Sequence, residues 1–422
     1  MAGRPGIFDR RGVLAAAGAL PLLGMTGVLR AAETDLSALR DITGGIAPIG
    51  EYERRARIAR AQALIKGNGI GAVLIEAGSS LVYFTGVRWG RSERLTAVVI
   101  PVEGEPCIVT PFFEEPSVRP SLGIPAEVRV WQEDEDPLAV VAGFLRDRKL
   151  AARPIAIEET VRYFAVAGLA KVLPGTKLVS ANPVVRGVRG IKTAPEIALM
   201  QAATDVTIAA YRWTYPRIEK GMTPADIGGL MNAATRKLGG SPEFALILIG
   251  EAAAYPHGSS APQKVADGQV VLMDCGCTVQ GYQSDVSRTF VFGEASAEQR
   301  KVWADVRSGQ ATAFAAAQIG VPAGHVDDAV RRRYVALGYG PRYQLPGLSH
   351  RTGHGIGLDG HEPVNLVHGE TTPLAPGMCF SNEPGLYLPG KFGVRLEDCF
   401  HMTEAGPKWF SVPPTSIEQP FG

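Results

Sequence analysis

The sequence predicts two folded regions: an α/β domain over residues 36–182, and an α+β domain over 190–415 with a mostly antiparallel sheet. Three observations carry this. Short apolar runs alternate with helical stretches in the first region, the pattern of α/β layering. In the second, helices pack on one face of a sheet whose apolar strands carboxylates repeatedly end or interrupt. Between them lies a basic, glycine-containing segment, Pro183 to Thr193, which reads as a boundary.

The elements follow in order. Tyr52 to Lys66 reads as a helix stopped at Gly67-Asn68-Gly69. Ala72-Val73-Leu74-Ile75 has the apolar continuity of a buried strand, as do LTAVVIP, CIVTPFF and the short Pro154–Ile157 run. A long helix starts near Pro195, with Ile197, Met200, Ala203, Val206, Ile208 and Tyr211 at roughly helical spacing. Thr223-Pro224 opens another, Thr as N-cap and Pro in the first turn, and Gly239-Gly240 stops it. Phe244–Ile249 and Val270–Met273 read as strands, 296–319 and 325–338 as helices, and further strands surround Cys379 and Val394.

Composition excludes several classes. A 45% hydrophobic, 20% charged chain of 422 residues is ordinary for folded protein and long enough for two cores. A net charge of +1 gives no global field toward nucleic acid or acidic membranes. Five cysteines are too few for a disulfide framework, and an odd count leaves at least one unpaired. Cys275 and Cys277 stand two apart on one face of a strand, adjacent to Asp274, and Cys399 shares strand parity with Glu397, but buried thiols usually pack as small hydrophobes.

Residues 1–32 stand apart. Arg4, Arg10, Arg11 and Arg30 face one acid, Asp9, around the uncharged stretch GVLAAAGALPLLGMTGVL. This is the layout of an export signal, and Arg10-Arg11 resembles the twin-arginine type, though Asp9 and Val13 depart from its usual residues. Four glycines and Pro21 make it a poor membrane span. The expectation is a periplasmic or secreted protein without stable membrane insertion, the alternative a cytoplasmic one.

Three segments carry chemistry. VVLMDCGCTVQGYQSDVSRTF puts Asp274 at the end of an apolar strand and Asp285 after the following turn. A carboxylate buried unpaired costs several kcal/mol, so such a strand end wants a cation. HRTGHGIGLDGHE holds His350, His354 and His361; with His368, four of seven histidines fall within 350–368. Gly353 and Gly355 flank His354 and would let the backbone approach a ligand closely. SNEPGLYLPGKFGVRLEDC adds Glu383 after an apolar strand and Glu397 inside a strand pattern, next to Arg395. Each residue alone also fits a surface role or a salt bridge. Together, two Asp, two Glu and one His suit Mn, Co, Zn or Fe rather than a thiolate site. Four carboxylates match two divalent ions, which about 3.5–4 Å apart can activate a shared water.

In this order the three segments resemble the pita-bread metallopeptidases: methionine aminopeptidase, aminopeptidase P, prolidase and creatinase. The resemblance covers about residues 190–410 and implies metal ligation by Asp274, Asp285, His354, Glu383 and Glu397, with Asp285 and Glu397 bridging. It implies two divalent ions, manganese first. His257 and His361 fall where the family places active-site histidines, and His350 where proline-cutting members place a pocket histidine. Glu383 is a proton shuttle by the same likeness, and Arg395 a substrate-binding residue. The first domain, with Val82-Tyr83-Phe84-Thr85-Gly86, resembles the creatinase-like N-terminal domain and argues against the short methionine aminopeptidases. The implied activity is hydrolysis of an Xaa-Pro peptide bond by a metal-bridging hydroxide, in a homodimer, with a peptide or small amide as substrate and no nucleic acid partner. The alternatives are hydrolysis of a small non-peptide amide on the same fold, and a non-catalytic peptide-binding module.

Overall fold

The computed structural model describes residues 35–421, so the leader over residues 1–32 lies outside the described residues. Helix α1 (Glu51–Gly67) precedes strand β1 (Ala72–Glu76), whose five residues are all buried. Helix α2 (Ser79–Thr85) ends where Gly86 takes a left-handed φ of 85°, a stop that glycine makes without strain. Strands β2 (Ala97–Pro101) and β3 (Cys107–Pro111), short helix α3 (Glu115–Val118), β4 (Glu127–Trp131) and α4 (Pro137–Asp147) follow. Then come β5 (Ile155–Ile157), α5 (Tyr163–Val172), β6 (Leu178–Ser180) and α6 (Asn182–Arg189). The six strands form one mixed sheet ordered β4-β3-β2-β1-β5-β6. β1 pairs antiparallel with β2 and parallel with β5.

Helix α6 corrects the reading of Pro183–Thr193 as a plain boundary. Pro183 sits in its first turn, where a missing N–H costs nothing. Val184, Val185 and Val188 are buried in the first lobe's core, so the valines, one helical turn apart, override the basic composition.

Helix α7 (Ala194–Thr214) starts at a capping box in which the Thr193 and Glu196 side chains serve each other's backbone N–H. Helix α8 (Pro224–Lys237) starts the same way at Thr223 and Asp226. Strands β7 (Ser241–Ile249), β8 (Val270–Val279), β9 (Tyr282–Gln283) and β10 (Val286–Val291) form an antiparallel sheet ordered β10-β8-β7, with β9 on β8. Helices α9 (Ala297–Ala316) and α10 (Ala323–Ala336) follow, then strands β11 (Gly353–Gly355), β12 (Glu362–Leu366) and β13 (Cys379–Asn382). β14 (Leu386–Leu388), β15 (Phe392–Val394), β16 (Asp398–Thr403) and β17 (Gly406–Trp409) complete the chain. A second antiparallel sheet runs β12-β11-β13-β16-β17.

Strand β8 explains how the second lobe presents its carboxylates. Val271, Met273, Cys275 and Cys277 enter the core that includes residues of α7 and α8, while Val270 and Leu272 enter the core that includes residues of α9 and α10. Side chains alternate across a strand, so Asp274 continues the second set. Its antiparallel partner on β10 is Ser287. All five cysteines are free and buried, Cys107 in the first lobe's core and the other four in the core that includes α7 and α8, and burial pushes the thiols of Cys107 and Cys379 up to about 12. Among the described residues, no helix is long and apolar enough to cross a membrane.

Candidate active site

Asp274, Asp285, His354, Glu383, Glu397, His257, His350, His361 and Arg395 all line one cavity of about 750 Å³. The sheets deliver them from strand interiors and strand ends; Asp274, expected at a strand end, lies inside β8, which the β7 and β10 pairings carry past it. Asp285 immediately precedes β10, Glu383 immediately follows β13, and His354 is the central residue of β11. Glu397 lies in the break between β15 and β16 rather than inside a continuous strand, as its sequence pattern had suggested. Its N–H instead bonds the Ser287 carbonyl at 3.0 Å, anchoring the break to the neighbouring sheet.

The glycines around His354 act differently from expectation. A Cβ on Gly353 would come within 2.1 Å of the Ser381 carbonyl oxygen, and one on Gly355 within 2.6 Å of that of Glu362. The close approach they permit is to the neighbouring strands, which seats His354 between them. Its N–H donates to Ser381 Oγ at 3.0 Å, and its Nδ1 lies 3.0 Å from the Gly355 carbonyl. That leaves Nε2 aimed at carboxylates, 3.3 Å from Glu383 Oε1 and 3.6 Å from Asp285 Oδ2.

The donor set fits divalent cations. One ligand atom from each of Asp285, His354 and Glu397 lies within 4.8 Å of the others, all three residues buried. Glu397 Oε2 accepts from Ser287 Oγ at 2.8 Å, while its Oε1 is buried without a partner. Asp274 repeats this: Oδ2 accepts from Arg395 Nη2 at 2.6 Å, and Oδ1 is buried without a partner. Burial and then mutual repulsion with its neighbours raise Asp285 and Glu397 far above the usual carboxylate range. Burial lifts Glu383 to about 7, against the pull of Arg395. Burial also holds His354 and His350 down to about 3, so both are neutral, the form in which imidazole binds metal. Four carboxylates are crowded into a cavity that Arg395 and Arg351 line, and two of their oxygens face nothing, so the site lacks positive charge that bound divalent ions would supply.

The histidines occupy distinct positions. His361 stacks edge-on against His354 with ring centroids 4.1 Å apart. Its pKa is lowered by burial and then by Arg351. His350 is fixed by Nδ1, 2.7 Å from the Arg351 carbonyl, and by Nε2, 2.8 Å from Tyr387 Oη. His257 lines the cavity but is exposed.

Two side chains absent from the sequence reading organise the site. Arg395 donates to Asp274, Ser287 Oγ (3.0 Å), Tyr387 Oη (3.1 Å) and the Pro256 carbonyl (3.0 Å). It therefore ties Asp274, Ser287 and the His350-bonded Tyr387 together in addition to lining the cavity. Ser287 and Tyr387 are the missed residues. Nothing local in the sequence marks either, and the structure shows Tyr387 packed so closely that a Cβ on Gly385 would meet its hydroxyl at 2.4 Å.

Comparison with known proteins agrees with this geometry. Residues 198–404 match metallopeptidase family M24, and residues 57–191 match the creatinase/prolidase N-terminal domain. The chain is 32% identical over 355 residues to the probable dipeptidase PepE of Mycobacterium tuberculosis, covering 83% of this chain and 92% of the relative. It is 31% identical over 339 residues to the Xaa-Pro dipeptidase of Lactobacillus helveticus, covering 79% of this chain and 90% of that one. The crystal structure of dipeptidase PepE from Mycobacterium ulcerans superposes with a TM-score of 0.81 at 31% identity, over 88% of this chain and 98% of the other. The cavity with its buried carboxylates thus sits in a chain that belongs to metallopeptidase family M24 and carries a creatinase/prolidase-type N-terminal domain.

Proposed function

We propose that this cavity hydrolyses an Xaa-Pro peptide bond, in a dipeptide or at a peptide N-terminus. Two divalent cations, manganese first, would be held by Asp274, Asp285, His354, Glu383 and Glu397, with Asp285 and Glu397 shared. The observation that carries the reading is the uncompensated charge: buried carboxylates converge on a neutral histidine with two oxygens unpartnered. The likeness to an Xaa-Pro dipeptidase supplies the substrate class.

When bound, such ions supply an activated water and positive charge for the developing oxyanion. The protein's own groups do the rest. An Xaa-Pro bond has no amide hydrogen on its nitrogen, and the ring fixes φ. The tertiary nitrogen must therefore be gripped by shape and protonated as it leaves. Glu383 moves that proton from the attacking water to the proline nitrogen. His361, which lines the cavity and whose pKa is lowered by burial and Arg351, donates a hydrogen bond to the oxyanion. His257 and His350 flank the proline side, with His350 held by Tyr387.

The test strips metal with a chelator, restores Mn²⁺, and follows release of proline from Ala-Pro and of alanine from Ala-Pro-Ala, with Ala-Ala as control. Metal-dependent cleavage of one or both proline substrates, well above Ala-Ala, is expected. Equal cleavage of Ala-Ala would end the proline reading, and turnover of only a small non-peptide amide would replace it.

A further inference from the structure

The basic segment before α7 has no place in the chemistry above, yet it reaches the loop that carries His361. Arg189, the last residue of α6, points into that loop with its side chain 11% exposed. Its Nη2 donates to Asp359 Oδ2 at 2.9 Å and to Glu362 Oε1. Its Nη1 donates to Ser79 Oγ at 3.0 Å and Ser80 Oγ at 2.8 Å, at the start of α2. Lys192 Nζ donates to the other Glu362 oxygen at 2.9 Å.

Glu362 is the residue after His361, and the loop folds around its carboxylate. Oε1 also accepts the backbone N–H groups of Leu358 at 3.0 Å and Asp359 at 3.2 Å. A Cβ on Gly357 would meet both Glu362 oxygens at 2.9 Å and Lys192 Cε at 2.8 Å, so the turn closes on the carboxylate without slack. Neither Arg189 nor Glu362 lines the active-site cavity. His361 lines both that cavity and a neighbouring one of about 380 Å³, which Arg189 and Glu362 line.

We propose that Arg189 and Glu362 are a positioning pair through which the first lobe sets where His361 stands. Net stabilisation is the weaker explanation, because desolvation offsets much of the Coulomb attraction of so buried a pair. What the pair supplies is register, since each atom of the fork goes to a different point of α2 or of the 358–362 loop. The proposal rests on His361 acting in turnover, as in the reading above.

The test is a double-mutant cycle on the metal-loaded full chain, with kcat and KM for Ala-Pro and thermal melts for wild type, Arg189→Met, His361→Ala and the double variant. Displacing His361 by a fraction of its length should lower kcat by about 10- to 10²-fold in Arg189→Met, with KM within a few fold. In the His361→Ala background the same substitution should change kcat by less than about 2-fold, the non-additivity of residues acting as one unit. Should Arg189→Met fail to melt cooperatively, Arg189→Lys enters the same cycle. It keeps the charge on Glu362 but cannot fork to both serines, and an intermediate loss is expected. An equal loss in both backgrounds, or no loss in wild type, overturns the pairing and leaves the role of His361 standing. Wild-type kcat in His361→Ala would overturn that role and the pairing together.

Discussion

Buried Arg395 and partly buried Asp274 form an ion pair, Nη2 to Oδ2 at 2.6 Å, inside a cluster read as a cation site. One oxygen of Asp274 thus meets a fixed positive charge, leaving the other for a ligand. The same guanidinium reaches Ser287, and Ser287 reaches Glu397. Arg395 accordingly orients two of the four carboxylates while lowering their mutual repulsion.

Arg395→Met should therefore destabilise the metal-free protein more than the metal-loaded one, since bound cations add positive charge beyond what Arg351 supplies to the cavity. Breaking a buried pair by removing one partner costs about 3–5 kcal/mol. Calorimetric melts with chelator and with Mn²⁺ should show a wider gap between the two states in the variant than in wild type. An unchanged gap would mean that Arg395 and the ions do not share a role.

Metal binding should release protons, and the pH sets how many. Burial raises Glu383 to about 7 in the metal-free protein, so below about pH 7 it holds a proton that an incoming cation must displace. Affinity for Mn²⁺ should fall as pH drops through this range. Titration calorimetry in buffers of different ionisation enthalpy should show more proton release at pH 6 than at pH 8, and Glu383→Gln should remove that difference. Equal release at both pH values would contradict Glu383 as a ligand.

Some of this was readable beforehand and some was not. Glu383 announces itself because a polar residue ending an apolar strand is a local pattern; Asp274 was legible as the carboxylate after an apolar run, but β8 continues past it to Val279, so it is a strand-interior residue and not a strand end. The helix starts at Thr193 and Thr223 are likewise local, three-residue signals. Helix α6 was missed because arginines and a glycine mask three valines whose burial depends on the rest of the first lobe. Ser287 and Tyr387 were missed for another reason. Ser287 meets Glu397 across 110 residues of chain, and Tyr387 meets His350 across 37, so no window of sequence contains both partners. The Arg189–Glu362 contact spans 173 residues and is invisible for the same reason.

His350 should govern choice of substrate more than rate. Its Nε2 contacts Tyr387 Oη, which Arg395 also holds, so the imidazole is a fixed wall of the cavity. Burial keeps it neutral across the working pH range. His350→Ala should narrow the ratio of kcat/KM for Ala-Pro over Ala-Ala while the bound metal is retained. An unchanged ratio would remove His350 from the proline pocket.

The export proposal concerns residues outside the described part of the structure. Arg10-Arg11 before an uncharged stretch proposes twin-arginine delivery to the periplasm. Changing both to lysine should hold the protein in the cytoplasm on cell fractionation. Undiminished periplasmic delivery would exclude this route.

The central claim is that the buried carboxylates hold the ions on which cleavage depends, and Asp285 tests it best because it approaches both His354 and Glu397. The measurement is metal content by elemental analysis, together with Ala-Pro turnover, on the same preparations of wild type and Asp285→Asn. The expected result is about two ions per chain and proline release in wild type, as a paired-metal site requires. In the variant both should be lost while the fold is retained by circular dichroism. Two ions and near-full turnover in Asp285→Asn would contradict it.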